Sequence, residues 1–261
     1  MANISAMKNI KNLFNINIAT YFLILTFCFT GLIKNIILIY IIVIFHELGH
    51  ILIIKILRYK IIKIDIYPMG GITRIDKKIN TSIKHELLIS VFGIIFQIIL
   101  WLIFFLLQHY CIISSLTYKL FKSYNKTIII FNMLPIIPLD GYIFLRSIWE
   151  LIFPYKKSFY LSLIISIISI ILFITYNELY SLNNYLIISF LIFKIINTSK
   201  EFKYAHMRFL TERHLYQLPI SKIKYENKIN LDLLKKDTYH YFKNKDKVIS
   251  EKKILAQKFN S

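Results

Sequence analysis

The stretch Phe45-His46-Glu47-Leu48-Gly49-His50 decides how this chain is read. Two histidines four apart on a helix lie on one face, one turn from each other, so both imidazoles can reach a single metal ion. Glu47 follows the first histidine directly and places a carboxylate beside that ion, where it can take a proton from water. The setting matters as much as the spacing. Residues 36–43 and 51–54 are almost purely aliphatic, and ionisable groups cost several kcal/mol inside an apolar span, where they are kept mainly for function.

Working outward, 56% of the 261 residues are hydrophobic and only 18% are charged. That is more apolar and less charged than an ordinary soluble domain. Several apolar runs approach the roughly 20 residues needed to cross a bilayer. The expected fold class is an all-α polytopic membrane protein: about six transmembrane helices, a short re-entrant β-like loop and a small basic cytoplasmic tail. The formal charge of +19 does not imply nucleic acid, because the lysines cluster in loops between apolar runs and in the tail. Cytoplasmic loops of membrane proteins have this character. No direct nucleic-acid binding is expected. Cys28 and Cys111 suggest neither a disulfide framework nor a thiolate metal site.

The expected spans are 18–33, 36–57, 87–107, 127–152, 159–176 and 185–196. The first follows Lys8 and Lys11 and is read as a retained span rather than a cleaved signal. Between spans two and three, residues 60–67 alternate Ile with other residues, and Pro68-Met69-Gly70-Gly71 is a turn signal. A hairpin or re-entrant loop is predicted there. Gly93 and Gln97, one turn apart on span three, mark a helix-packing face. With the N-terminus in the cytoplasm, the loops richest in Lys and Arg all fall inside, and both termini are cytoplasmic. The expected organisation is a transmembrane metal-dependent domain over 1–198 and a cytoplasmic helical linker with a short basic tail over 199–261.

A catalytic zinc takes three protein ligands and leaves one position open. His46 and His50 supply two, and Asp140 is the strongest third candidate. In the six-span topology both sites lie about 15 Å deep, at about 1.5 Å per residue from the same membrane face. Pro135 and Pro138 remove backbone hydrogen bonds and should unwind span four just before Asp140, and Gly141 relieves crowding just after it. Gly70 and Gly71 can offer a free strand edge to an extended substrate. For Asn132 two readings stand: a hydrogen-bond donor to substrate or oxyanion, or a partner for a carbonyl freed by the prolines. His85, His109, His206, His214 and His240 are read as solvated, Glu86 as an interface residue, and Arg146 with Glu150 as a helix-end ion pair.

These motifs together resemble the site-2 protease family of intramembrane zinc metalloproteases. They are His46-Glu47-Leu48-Gly49-His50, Pro68-Met69-Gly70-Gly71 and the stretch from Asn132 to Gly141. Within that family, the segment from His206 to Arg213 is similar to the stage IV sporulation protease subgroup, protein FB. The resemblance implies one zinc per chain held by His46, His50 and Asp140, with Glu47 as catalytic acid and base. It implies a membrane-associated substrate, a sigma-factor precursor, whose pro-segment is removed. It implies inhibitory membrane-protein partners, and a location in the mother-cell membrane around the forespore. It also implies a cytoplasmic CBS domain. Two departures stand out. Tyr142 replaces a second glycine after Asp140-Gly141, and the tail after Leu218 is short. That tail is read either as a reduced CBS-like remnant or as a basic segment on anionic lipid. The alternatives in function are the same chemistry on an anti-sigma factor or signal-peptide remnant, and a non-catalytic metal-binding protein or transporter. Spans five and six offer almost no polar path for a transporter.

Overall fold

The computed structural model describes residues 14–16, 18–67, 70–176, 182–216, 218, 220, 222–244 and 247–260. The chain divides into two compact units. One comprises 1–77 with 88–132, the other 78–87 with 133–261.

In the first unit, strand β1 (Phe14–Ile16) leads to helix α1 (Ile18–Phe29) and helix α2 (Ile33–Ile56). Helix α2 carries the histidine motif. It is built mostly of Ile, Leu and Val and closes at Arg58, which adopts a positive φ of 60°. Its faces differ. Ile42 is fully buried and Ile36, Leu38 and Ile53 nearly so, whereas Ile37, Ile44, Leu48, Leu52 and Ile56 are exposed. An apolar surface of that kind marks contact with lipid rather than water. Strands β2 (Lys60–Tyr67) and β3 (Gly70–Asp76) form an antiparallel hairpin, and β1 adds to β2 in parallel, giving the order β1-β2-β3. The predicted hairpin is present. Gly70 pairs with Tyr67 and Gly71 with Ile66, while Pro68 and Met69 lie outside the described residues. Helix α3 (Ile83–His109) and helix α4 (Ser115–Met133) complete this part of the chain. Leu38 and Ile42 of α2, Leu100 and Phe104 of α3, and Phe121 of α4 make one core. Burying each such side chain contributes about 1.5–3 kcal/mol.

The larger part of the second unit begins at the break in span four. Helix α4 ends at Met133 and α5 (Asp140–Ile152) starts seven residues later, across Pro135 and Pro138. Gly141 is needed there, since a Cβ would lie 2.2 Å from the Met133 carbonyl oxygen. Helices α6 (Tyr155–Tyr176) and α7 (Leu182–Leu215) follow. After them come β4 (Lys222–Glu226), a 3-10 turn at Leu231–Leu233, β5 (Thr238–Asn244), β6 (Lys247–Ser250) and α8 (Glu251–Asn260). β4 pairs with β5 in parallel and β5 with β6 antiparallel. The aromatic core joins Tyr155 and Phe159 of α6, Phe202 and Phe209 of α7, Phe242 of β5 and Leu255 of α8.

Several expectations need correction. The chain is mostly helical, but it is not all-α: two three-stranded sheets are present among the described residues. Among the described residues, three helices, Ile33–Ile56, Ile83–His109 and Tyr155–Thr175, are long and apolar enough to cross a membrane, which neither establishes nor excludes the six expected spans. The stretch before residue 127, expected to be a loop, is helical from Ser115. Lys119, Lys122 and Lys126 occupy its exposed face, opposite the buried Phe121 and Asn125. Helix α7 runs without a break from the expected last span into the region expected to be a helical linker, ending at Leu215. The described residues after it form the three-stranded sheet β4-β5-β6 with α8, packed through Phe242 and Leu255.

Candidate metal centre

Helix α2 presents His46, Glu47 and His50 together. Their ligand-capable atoms all lie within 4.8 Å of one another, and both histidines are buried. The helical repeat alone accounts for this, since positions 46 and 50 share the inward face while Leu48 points outward.

The orientation of each ring is set from behind. His46 Nδ1 is 3.1 Å from Gln97 Oε1, and His50 Nδ1 donates to the Ile89 carbonyl oxygen at 2.8 Å. Both acceptors belong to α3. With the protons on Nδ1, the two Nε2 atoms carry lone pairs, and these face each other at 3.0 Å. Two lone pairs at that distance repel unless a cation sits with them, which is the arrangement a shared metal requires. Glu47 Oε2 accepts from Thr73 Oγ1 of β3 at 3.3 Å, so the hairpin orients the carboxylate.

Space for the rings comes from a glycine on α3. A Cβ at Gly93 would lie 2.5 Å from His46 Cε1 and 2.7 Å from His50 Nε2. Gly49 serves the same helix crossing, since a Cβ there would stand 2.3 Å from the Phe92 carbonyl oxygen. Nitrogen and oxygen donors converging in a cradle without room for another carbon are a fit for zinc.

The remaining candidates are placed as follows. Asp140 is partly buried at the first position of α5 in the second unit, and it is not among the three residues grouped on α2. Asn132 is partly buried in the last turn of α4. Gly70 and Gly71 open β3, whose neighbour in the sheet is β2 alone among the described residues. The sequence reading did not assign Gln97, Asn125 or Thr73 to the site. Gln97 stood only as a packing position, although a glutamine in the middle of an apolar run is itself a signal of buried hydrogen bonding.

In the second unit, Arg146 and Glu150 pair as expected at 2.9 Å. Glu150 and Glu86 both also pair with Lys236, at 2.8 and 2.9 Å. Burial works against the Lys236 charge, but the two carboxylates outweigh it and hold its pKa above the ordinary lysine value. His240 is a correction. Read as solvated, it is fully buried, and its Nε2 accepts from the Lys235 backbone N–H at 3.1 Å. Burial first, then the neighbouring Arg213, pushes its pKa down to about 4.

A match to Peptidase family M50 covers residues 34–129. The chain is 28% identical over 188 residues to Stage IV sporulation protein FB of Bacillus subtilis, which covers 71% of this chain and 65% of that protein. It is 30% identical over 125 residues to a zinc metalloprotease of Methanocaldococcus jannaschii, covering 47% of this chain and 36% of the relative. The chain thus spans just under two thirds of the first relative and about a third of the second. In fold it is similar to the solved site-2 protease from Methanocaldococcus jannaschii. The TM-score is 0.53 at 24% identity, covering 70% of this chain and 89% of that structure. Over residues 34–129 the chain is thus similar to peptidase family M50, in the same stretch that carries the His46-Glu47-Leu48-Gly49-His50 motif.

Proposed function

We propose that this protein is an intramembrane zinc metalloendopeptidase, built from a transmembrane catalytic domain over 1–198 and a cytoplasmic part over 199–261. The observation that carries this reading is the convergence of His46, Glu47 and His50 on one face of an apolar helix, with both Nδ1 atoms engaged from behind. His46 and His50 would hold the zinc, with Asp140 as third ligand. The break at Pro135 and Pro138 supports that role, because it leaves Asp140 at a helix start rather than inside a continuous span.

Zinc, when bound, supplies a Lewis acid that brings water within reach of deprotonation near neutral pH. Glu47 accepts a proton from the attacking water, the water oxygen bonds to the peptide carbonyl carbon, and Glu47 returns the proton to the leaving amine as the C–N bond breaks. Thr73 orients the Glu47 oxygen. The open edge of β3, at Gly70 and Gly71, would receive an extended substrate by strand addition, and its link to Glu47 through Thr73 favours this use. Asn132 would donate its amide to the substrate or the oxyanion.

The finer reading is removal of the pro-segment from a sigma-factor precursor, under inhibitory membrane-protein partners, in the mother-cell membrane around the forespore, with both termini cytoplasmic. The likeness to Stage IV sporulation protein FB supports it. Co-expression with candidate precursors tests both levels. Glu47→Gln should retain zinc and lose cleavage by at least about 100-fold, the scale of a lost general base. Cleavage by Glu47→Gln at the wild-type rate would overturn the mechanism. Cleavage of another membrane substrate but no sigma-factor precursor would overturn only the finer reading.

A further inference from the structure

We propose that Gln97 and Asn125 form a buried amide relay that sets the tautomer and aim of His46, and so act as positioning residues for the metal centre. Both side chains are fully buried in the first unit, on α3 and α4. Asn125 Nδ2 donates to the Gln97 backbone carbonyl at 3.3 Å, and Gln97 Nε2 donates to Asn125 Oδ1 at 3.5 Å. The second contact is long, but it fixes which end of the Gln97 amide faces which neighbour. With Nε2 turned to Asn125, Oε1 is turned to His46 Nδ1 at 3.1 Å. An oxygen there accepts and cannot donate, so the proton resides on Nδ1 and the Nε2 lone pair is left on the side of His50 Nε2. The reverse amide orientation would place Nε2–H against Nδ1 and drive the proton to the metal-facing nitrogen.

The arrangement is asymmetric. His50 is held by a backbone carbonyl, which no side-chain substitution removes, whereas His46 is held by a side chain that itself needs a second side chain. Burying two primary amides in an apolar bundle is costly unless their hydrogen bonds are made. A packing role would be served equally well by Leu or Met. Polar partners behind ligating histidines typically account for 10–100-fold in metal affinity.

This inference rests on the reading of His46 as a zinc ligand, and the test separates the two. Zinc affinity of the purified full-length protein would be measured by chelator competition, with cobalt absorption as a second readout. Gln97→Met keeps the length and removes the acceptor, and should weaken zinc binding about 10- to 100-fold. Gln97→Glu keeps an acceptor facing Nδ1. It should bind zinc at least as tightly as wild type and shift the cobalt spectrum. Asn125→Leu leaves the Gln97 amide free to turn and should weaken binding less than Gln97→Met.

The relay is refuted if Gln97→Met binds zinc within twofold of wild type, or if Gln97→Glu loses as much as Gln97→Met. Should Gln97→Met not fold, an unchanged cobalt spectrum in Gln97→Glu refutes it equally. His46→Ala is the control. Retained zinc in that variant would remove the parent reading, whereas lost zinc there with none lost in Gln97→Met removes the relay alone.

Discussion

Each unit buries ionisable groups, and they treat them in opposite ways. In the second unit the buried charges are matched within the protein. Arg213 donates to Glu251 through Nε and Nη2, at 2.9–3.1 Å, and its other donors reach the Lys235 and Thr238 carbonyl oxygens. Lys236 has two carboxylates. In the first unit the groups behind His46 and Glu47 are neutral amides and a hydroxyl. Matched charges make an anchor, and nothing further is required of them. Converging lone pairs backed by neutral groups suit an incoming cation. The contrast separates structural polarity from chemical polarity without reference to any relative.

The segment from His206 to Arg213 illustrates the first kind. Phe209 and Leu210 are fully buried, Glu212 accepts from the Asn80 backbone N–H, and Arg213 meets Glu251. It ties α7 to the C-terminal module.

The largest effect that would break this comparison is expected at the anchor. Arg213→Met leaves Glu251 buried without its cation and should cost about 3–5 kcal/mol, whereas Arg213→Met with Glu251→Leu should recover most of it. Thermal unfolding of the pair of variants decides. If the single variant is as stable as wild type, the anchor reading is wrong.

Next comes the buried histidine. Folded His240 titrates near pH 4, whereas in an unfolded chain it titrates near 6.5. Between these values the unfolded state binds the proton first, so the stabilisation is complete above about pH 6.5 and lost as pH falls to about 4. The loss should be about 3 kcal/mol and should vanish in His240→Gln. Urea melts across that window measure it.

A smaller change is expected at the metal cradle. Gly93→Ala puts a carbon against both imidazoles, and an overpacking cost of about 1–3 kcal/mol corresponds to about 5- to 150-fold in zinc affinity. Unchanged zinc affinity would show that α3 can move aside. The smallest effect belongs to the surface. Lys224→Ala removes a partly exposed pair with Glu226 and should change stability by less than about 1 kcal/mol. A larger loss would mean that β4 is pinned by that ion pair.

Local features were readable because short-range geometry makes them. The turn of a helix alone brings His46 to His50. Two prolines within four residues end α4 without help from elsewhere. The alternation over 60–67 and the turn after it yield the β2–β3 hairpin. Helix α4 was misjudged because its lysines resemble a loop until the buried Phe121 and Asn125 are seen behind them.

The amino-acid order by itself determined the motif, the apolar helices that carry it and the break ahead of Asp140, because each depends on neighbours within about one helical turn. Only the tertiary structure decided what stands behind the imidazoles and how the tail folds. Gln97 is 51 positions from His46, and Asn125 a further 28 from Gln97. β4 pairs in parallel with a strand that it meets only after the intervening 3-10 turn. Hydrogen bonds over such separations leave no period in a sequence. They exist because buried amides and buried charges must find partners wherever packing brings them.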